Sequence, residues 1–144
     1  MRTIKSEIEI EASADTVWKV LMNHQEYPNW NPFIKELSGS TVPGEQLSAT
    51  IKSEGNSPMS FKPVVLKNEV NEEFRWKGKL LINGIFDGEH YFLIEEISPN
   101  KIRFIQGENF TGILSGIFMI MIREGTKKGF ISMNQALKSI AESN

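Results

Sequence analysis

Polar and apolar residues alternate from Thr3 to Glu11: Ile4, Ser6, Ile8 and Ile10 share one side, and Thr3, Lys5, Glu7, Glu9 and Glu11 share the other. A period of two predicts a strand with one face buried. The period then changes. Ser13 is placed to cap a helix, and Asp15 falls in the first turn, where negative charge suits the helix dipole. Val17, Trp18, Val20 and Leu21 supply its apolar stripe. The helix is expected to run to about Asn23, with His24 exposed and supporting its C-terminal end when charged. In the segment Tyr27-Pro28-Asn29-Trp30-Asn31-Pro32-Phe33 two prolines allow only a short helical turn or an ordered loop, whose aromatics need an anchor.

Strand patterns fill the middle of the chain. Lys35–Ser40, Gln46–Lys52 and Met59–Val70 are separated by the turn-rich Val42-Pro43-Gly44-Glu45 and Ser53-Glu54-Gly55-Asn56-Ser57-Pro58. Pro63 inside the third marks an edge or a bulge, because proline cannot donate to a ladder. Glu73–Lys77 puts Phe74 and Trp76 on one face. A glycine-containing stretch through Gly84 then leads to strands over Phe86–Ile97 and Lys101–Glu108. Strand and helix do not alternate, so a parallel sheet is disfavoured and an antiparallel α+β arrangement is expected.

The last third returns to helical spacing. Phe130, Met133, Leu137, Ile140 and Ala141 recur on one side, with Lys127, Lys128, Gln135, Lys138 and Glu142 on the other. Whether residues 112–122 join this helix stays open. Ile113, Ile117, Ile120 and Met121 extend the stripe, but Gly116, Gly125 and Gly129 each cost about 1 kcal/mol in a helix. With no repeat, linker or low-complexity tract, residues 1–144 are expected to form one domain.

Composition narrows the function classes. Sixteen basic against 18 acidic residues, a net charge of -2, give no drive toward a phosphate backbone, so nucleic acid is an unexpected partner. Zero cysteines exclude disulfides, thiol nucleophiles and thiolate metal sites, and two histidines exclude a histidine-rich cluster; no cofactor or metal is expected. The opening residues lack the basic-then-apolar order of a secretion signal, which predicts a cytoplasmic protein. The longest apolar run, Gly112–Ile122, is about half the roughly 20 residues a membrane span requires. Nucleophile-elbow and phosphate-loop glycine patterns are missing.

The order strand, helix, helical turn, strands and long helix resembles the helix-grip fold of the START-like superfamily. The aromatic and proline segment Tyr27–Phe33 resembles the one that follows the first helix there. Phe74-Arg75-Trp76-Lys77-Gly78, Gly84-Ile85-Phe86-Asp87-Gly88-Glu89-His90-Tyr91-Phe92, Glu108-Asn109-Phe110-Thr111-Gly112-Ile113-Leu114 and the stretch Lys128–Lys138 are similar to successive blocks of its polyketide cyclase/dehydrase and lipid transport branch. The resemblance implies a curved seven-stranded antiparallel sheet around a long C-terminal helix, with two short helices between strands 1 and 2. It also implies a cavity for a small hydrophobic molecule such as a lipid or polyketide. No catalytic motif transfers residue by residue, and fold alone does not specify activity.

Strand alternation then nominates the cavity wall. Phe86, His90 and Phe92 share a face of one strand, and Phe104, Gln106 and Glu108 share a face of the next, so three polar groups enter an apolar enclosure. His90 and Glu108 are the candidate acid/base pair, able to meet across adjacent strands. Phe74 and Trp76 are candidate wall residues that also suit a core, Phe74 more than Trp76. Met121 offers an adaptable surface, and Gly125 either opens space under the helix or lets the helix approach the sheet. Carriage or sensing of a hydrophobic ligand leads, with a cyclase/dehydrase-type enzyme as the rival and a monomer or weak homodimer as the assembly. A third reading, a protein-interaction module, requires a large exposed apolar patch, which the lysine-flanked final helix is not expected to present.

Overall fold

The computed structural model describes residues 2–79 and 84–144. Residues 80–83, part of the expected link through Gly84, lie outside the described residues. Strand β1 (Arg2–Ile10) leads to helix α1 (Ala14–Met22), a single 3-10 turn over His24–Glu26 and the short helix α2 (Tyr27–Trp30). Strands β2 (Ile34–Gly39), β3 (Leu47–Ile51), β4 (Met59–Phe61), β5 (Val64–Glu69), β6 (Glu73–Lys79), β7 (Asp87–Ser98) and β8 (Lys101–Thr111) follow, and helix α3 (Ser115–Ser143) closes the chain. All strand pairings are antiparallel.

Among the described residues eight strands form where seven were expected, divided into a five-stranded sheet ordered β1-β8-β7-β6-β5 and a three-stranded sheet ordered β2-β3-β4. The expected strand over 59–70 breaks at Lys62-Pro63. A seam of backbone hydrogen bonds, Leu47 N–H to Pro63 O at 2.8 Å and Val65 N–H to Glu45 O at 2.9 Å, still joins the two sheets. The concave side is therefore nearly continuous.

Ser13 caps α1 by accepting a hydrogen bond from the Thr16 N–H at 3.1 Å, which satisfies one of the helix's unpaired donors. Residues 112–122 divide between a turn and α3. Gly112, at φ +112°, ends β8 in a conformation that strains any side chain. Helix α3 then runs 29 residues without a break. Its inner face carries Phe130, Met133, Leu137 and Ala141, all buried against the five-stranded sheet.

The first half of α3 departs from the expectation that the final helix presents no exposed apolar patch. Ile113 just before it and Ile117, Ile120 and Met121 within it are 83%, 61%, 86% and 70% exposed. The stretch is apolar all round, while only the side carrying Met119 and Ile122 has a partner. An exposed apolar stripe results.

His24 is a second departure. It is packed 5.1 Å from the Tyr27 ring and 5.8 Å from Phe74 instead of standing in solvent. Its Nε2 has no hydrogen-bond partner. Burial lowers its pKa from 6.5 to about 4, because an apolar setting disfavours the imidazolium. A depressed histidine supports the fold while neutral. Its contribution is whole above pH 6.5 and is lost as pH falls toward 4. That span corresponds to up to about 3 kcal/mol. Urea unfolding at neutral pH and near pH 4 should therefore show a smaller acid loss in His24→Gln than in the wild type. Equal losses would place the acid sensitivity elsewhere.

Candidate functional site

Alternation on four neighbouring strands stacks two cross-strand rows beneath α3. One row runs Ser6, Gln106, Phe92 and Phe74, each opposite the next; the other runs Ile4, Glu108, His90 and Trp76. Half of these side chains are apolar and all are buried, so the polar ones need partners within the core. They find them in one another.

His90 has no exposed surface. Trp76 stacks on its ring at 5.0 Å, and Phe92, Phe130 and Phe33 stand at 4.8, 5.2 and 6.5 Å. Its Nδ1 lies 3.2 Å from Glu108 Oε1 and its Nε2 lies 2.9 Å from Gln106 Oε1. Gln106 Nε2 donates to Asn134 Oδ1 at 2.8 Å, Asn134 Nδ2 donates to Ser6 Oγ at 2.9 Å, and the Ser6 hydroxyl donates to the Gln106 carbonyl at 3.3 Å. The relay joins strands β1, β7 and β8 to helix α3.

This relay has a direction. With Gln106 donating to Asn134, its oxygen accepts from His90 Nε2–H, and the His90–Glu108 contact then holds one further proton, on Nδ1 or on the carboxyl. Rotating both amides by half a turn reverses the bonds between side chains, and Ser6 gives up its bond to the Gln106 carbonyl. Gln106 then donates to a bare His90 Nε2, Asn134 donates to Gln106, Ser6 donates to Asn134, and His90 Nδ1–H donates to a Glu108 carboxylate. Both directions leave the side-chain groups of the relay paired. They differ by one proton at the Glu108–His90 pair.

Glu108 is where the relay reaches open space. Its carboxyl lies on the wall of a cavity of about 320 Å³ bounded by Phe33, Ile51, Met59, Phe61, Phe110 and Ile122, with Ser53, Asn56, Ser57 and Thr126 as further polar groups. The three-stranded sheet, the 53–57 loop, the end of β8 and the first half of α3 supply these walls. The enclosure is small and mainly apolar, with few polar groups, which are features of a ligand site. Three larger hollows are more open: one of about 560 Å³ lined in part by Lys19 and Glu26, and two, of about 820 and 410 Å³, lined by residues of β1 and α3 that include Arg123.

Of the nominated residues, Glu108 touches this cavity; the structure places the other nine elsewhere. His90 sits behind Phe33, 6.5 Å from its ring, and Gln106 is fully buried beside His90. Phe74, Trp76, Phe92 and Phe104 are fully buried in the core, Phe74 beside His24, Trp76 on His90 and Phe92 on Phe104. Phe86 stacks on Phe110 and Phe118 at 5.4 and 4.8 Å, one layer back from the wall. Met121 points outward. Gly125 lets α3 approach the mouth loop: a Cβ there would stand 3.0 Å from Glu54 O. The sequence reading passed over Ser6 and Asn134, whose signal was a polar residue on an otherwise apolar face. For Phe33 the sequence leaves two roles, shaping the cavity mouth or anchoring the loop, with the anchor preferred; in the fold it lines the cavity.

The α+β architecture, with its curved antiparallel surface and long C-terminal helix, defines a START-like protein of helix-grip fold. The family described as polyketide cyclase/dehydrase and lipid transport matches residues 1–142, and the chain belongs to it. Solved structures of the same fold include the ZhuI aromatase/cyclase from Streptomyces sp. R1128, with TM-score 0.79 and 12% identity over 98% of this chain and 93% of that one. A START superfamily protein from Mycobacterium smegmatis gives 0.74 and 18% over 98% and 97%. Norcoclaurine synthase from Thalictrum flavum, in complex with dopamine and hydroxybenzaldehyde, gives 0.74 and 15% over 99% and 87%. No curated protein matches the sequence. Among the described residues, no helix is long and apolar enough to cross a membrane, and no cluster of three or more metal-ligating acidic, histidine or cysteine side chains forms.

Proposed function

We propose that the protein binds a small hydrophobic molecule in the cavity between the three-stranded sheet and the first half of α3. The observation that carries this reading is the cavity itself: about 320 Å³ bounded by six large apolar side chains and one carboxyl. A volume near the lower end of ligand sites suits a molecule of about two rings better than a long acyl chain. Burial of that apolar surface supplies the affinity, and Glu108 with the neighbouring hydroxyls orients the ligand.

Titration with naphthylethanol tests the reading. The wild type should show saturable binding, and Ile122→Trp, which fills the cavity from α3, should abolish it. No saturable binding to the wild type, or binding indifferent to Ile122→Trp, would refute the assignment.

A second reading, acid/base catalysis of the cyclase/dehydrase kind, is favoured by the Glu108–His90 contact. Glu108 faces the cavity, and the pair can give or take a proton while the relay reverses, so no side-chain group of the relay loses its partner. On this reading Glu108 exchanges the proton with the ligand, and His90 holds it.

A further inference from the structure

We infer that the cavity selects hydrophobic amines, bound as ammonium ions through Glu108, over carboxylic acids of the same size. The inference rests on the cavity being the ligand site and names the head group it takes. Among the described residues, Glu108 is the one charged side chain on the wall. The remaining polar groups are three hydroxyls and the Asn56 amide, which hydrogen-bond without supplying charge.

Nearby cations are already engaged. The Lys52 ammonium donates to the backbone carbonyls of Ser53 and Asn56, which shapes the mouth loop from outside. Lys128 pairs with Glu124 at 3.4 Å and Glu54 at 3.7 Å. A carboxylate entering the cavity would therefore meet a like charge on the wall, in a setting where charge is poorly solvated, and the nearest cation, Lys52, has its donors turned to the loop carbonyls.

An ammonium meets the opposite situation. In one direction of the relay, His90 Nδ1–H donates to Glu108 Oε1, which fixes a carboxylate whose second oxygen is available to the cavity. If the pair first holds the additional proton, an arriving ammonium displaces it and the two amides reverse. The relay that would otherwise be left with a clash of donors adapts without breaking. Phe33, Phe61 and Phe110 supply aromatic surface for the rest of the molecule and for the cation itself.

Three matched probes, naphthylethylamine, naphthylethanol and naphthylpropanoate, test this by calorimetry near neutral pH. The amine should bind about ten- to a hundredfold more tightly than the acid. In Glu108→Gln, which keeps the volume and removes the charge, the amine should fall to the affinity of the alcohol, with circular dichroism verifying the fold. Equal affinities for amine and acid, a tighter acid, or an amine preference unchanged in Glu108→Gln would overturn the inference while alcohol binding left the cavity assignment standing. Failure of all three probes to bind the wild type would overturn both.

Discussion

Phe33→Ala is expected to lower the stability of the fold by about 3–5 kcal/mol and to extend the cavity inward as far as His90. Phe33 is 1% exposed and forms the inner wall of the cavity. Its ring meets Phe130 edge-on at 5.4 Å and stands 6.5 Å from His90. On its other side it lies against the backbone of α3 at Gly129, where even a Cβ would come within 2.3 Å of the ring. A side chain in contact on so many sides leaves a void that its neighbours cannot collapse into, and the cavity term adds to the lost burial. The void would join existing open space, so the change has a functional consequence as well. Ligands longer than the wild-type cavity permits should bind the variant, with their inner ends against the imidazole. Urea unfolding measures the first effect, and a homologous series of alkylated naphthyl probes measures the second. A loss below about 1 kcal/mol, or an unaltered size limit, would show that Phe33 is not the partition.

The two halves of the site were unequally legible in the sequence. Alternation is a local property of a strand, so His90, Gln106 and Glu108 could be assigned to one face without coordinates. The fold places His90 and Glu108 directly opposite each other on β7 and β8. The helix-grip order was legible for the same reason, because each element carries its own period. The position of the cavity is not local. It depends on where the three-stranded sheet leaves the five-stranded one, at Lys62-Pro63, and on how far α3 extends before the two surfaces meet. Phe74, Trp76, Phe92 and Phe104, all on the five-stranded sheet, are buried in the core, whereas Ile51, Met59 and Phe61, all on the three-stranded one, line open space. The pattern of apolar residues is the same in both places.

Asn134 and Ser6 show another limit. Each interrupts an apolar row, Asn134 between Met133 and Leu137 on α3 and Ser6 between Ile4 and Ile8 on β1. One such residue is easily absorbed as tolerance in the pattern. Only the packing of α3 across β1 and β8 makes the two interruptions, with Gln106, a single connected network.

Gln106→Leu should cost about 2–4 kcal/mol, and most of that loss should come from its partners rather than from its own side chain. Gln106 is fully buried and joins His90 Nε2 to the Asn134 amide. Leucine approximates its volume but leaves a polar group unpaired on each side, and each orphan in an apolar setting costs about 1–3 kcal/mol. Asn134→Leu added to this variant removes one orphan, while Ser6 keeps its bond to the backbone carbonyl at position 106. The double variant should therefore be less destabilised than the two single changes together, by about 1–2 kcal/mol. Unfolding in urea of the four proteins closes this cycle; strict additivity would mean that the amides do not act as one network. The single variant also bears on the cavity. Without an acceptor at Nε2, His90 retains its proton on Nδ1 and donates it to Glu108, which fixes the carboxylate form. Amine binding should then survive Gln106→Leu even as stability falls, separating the network's structural work from the charge that meets the ligand.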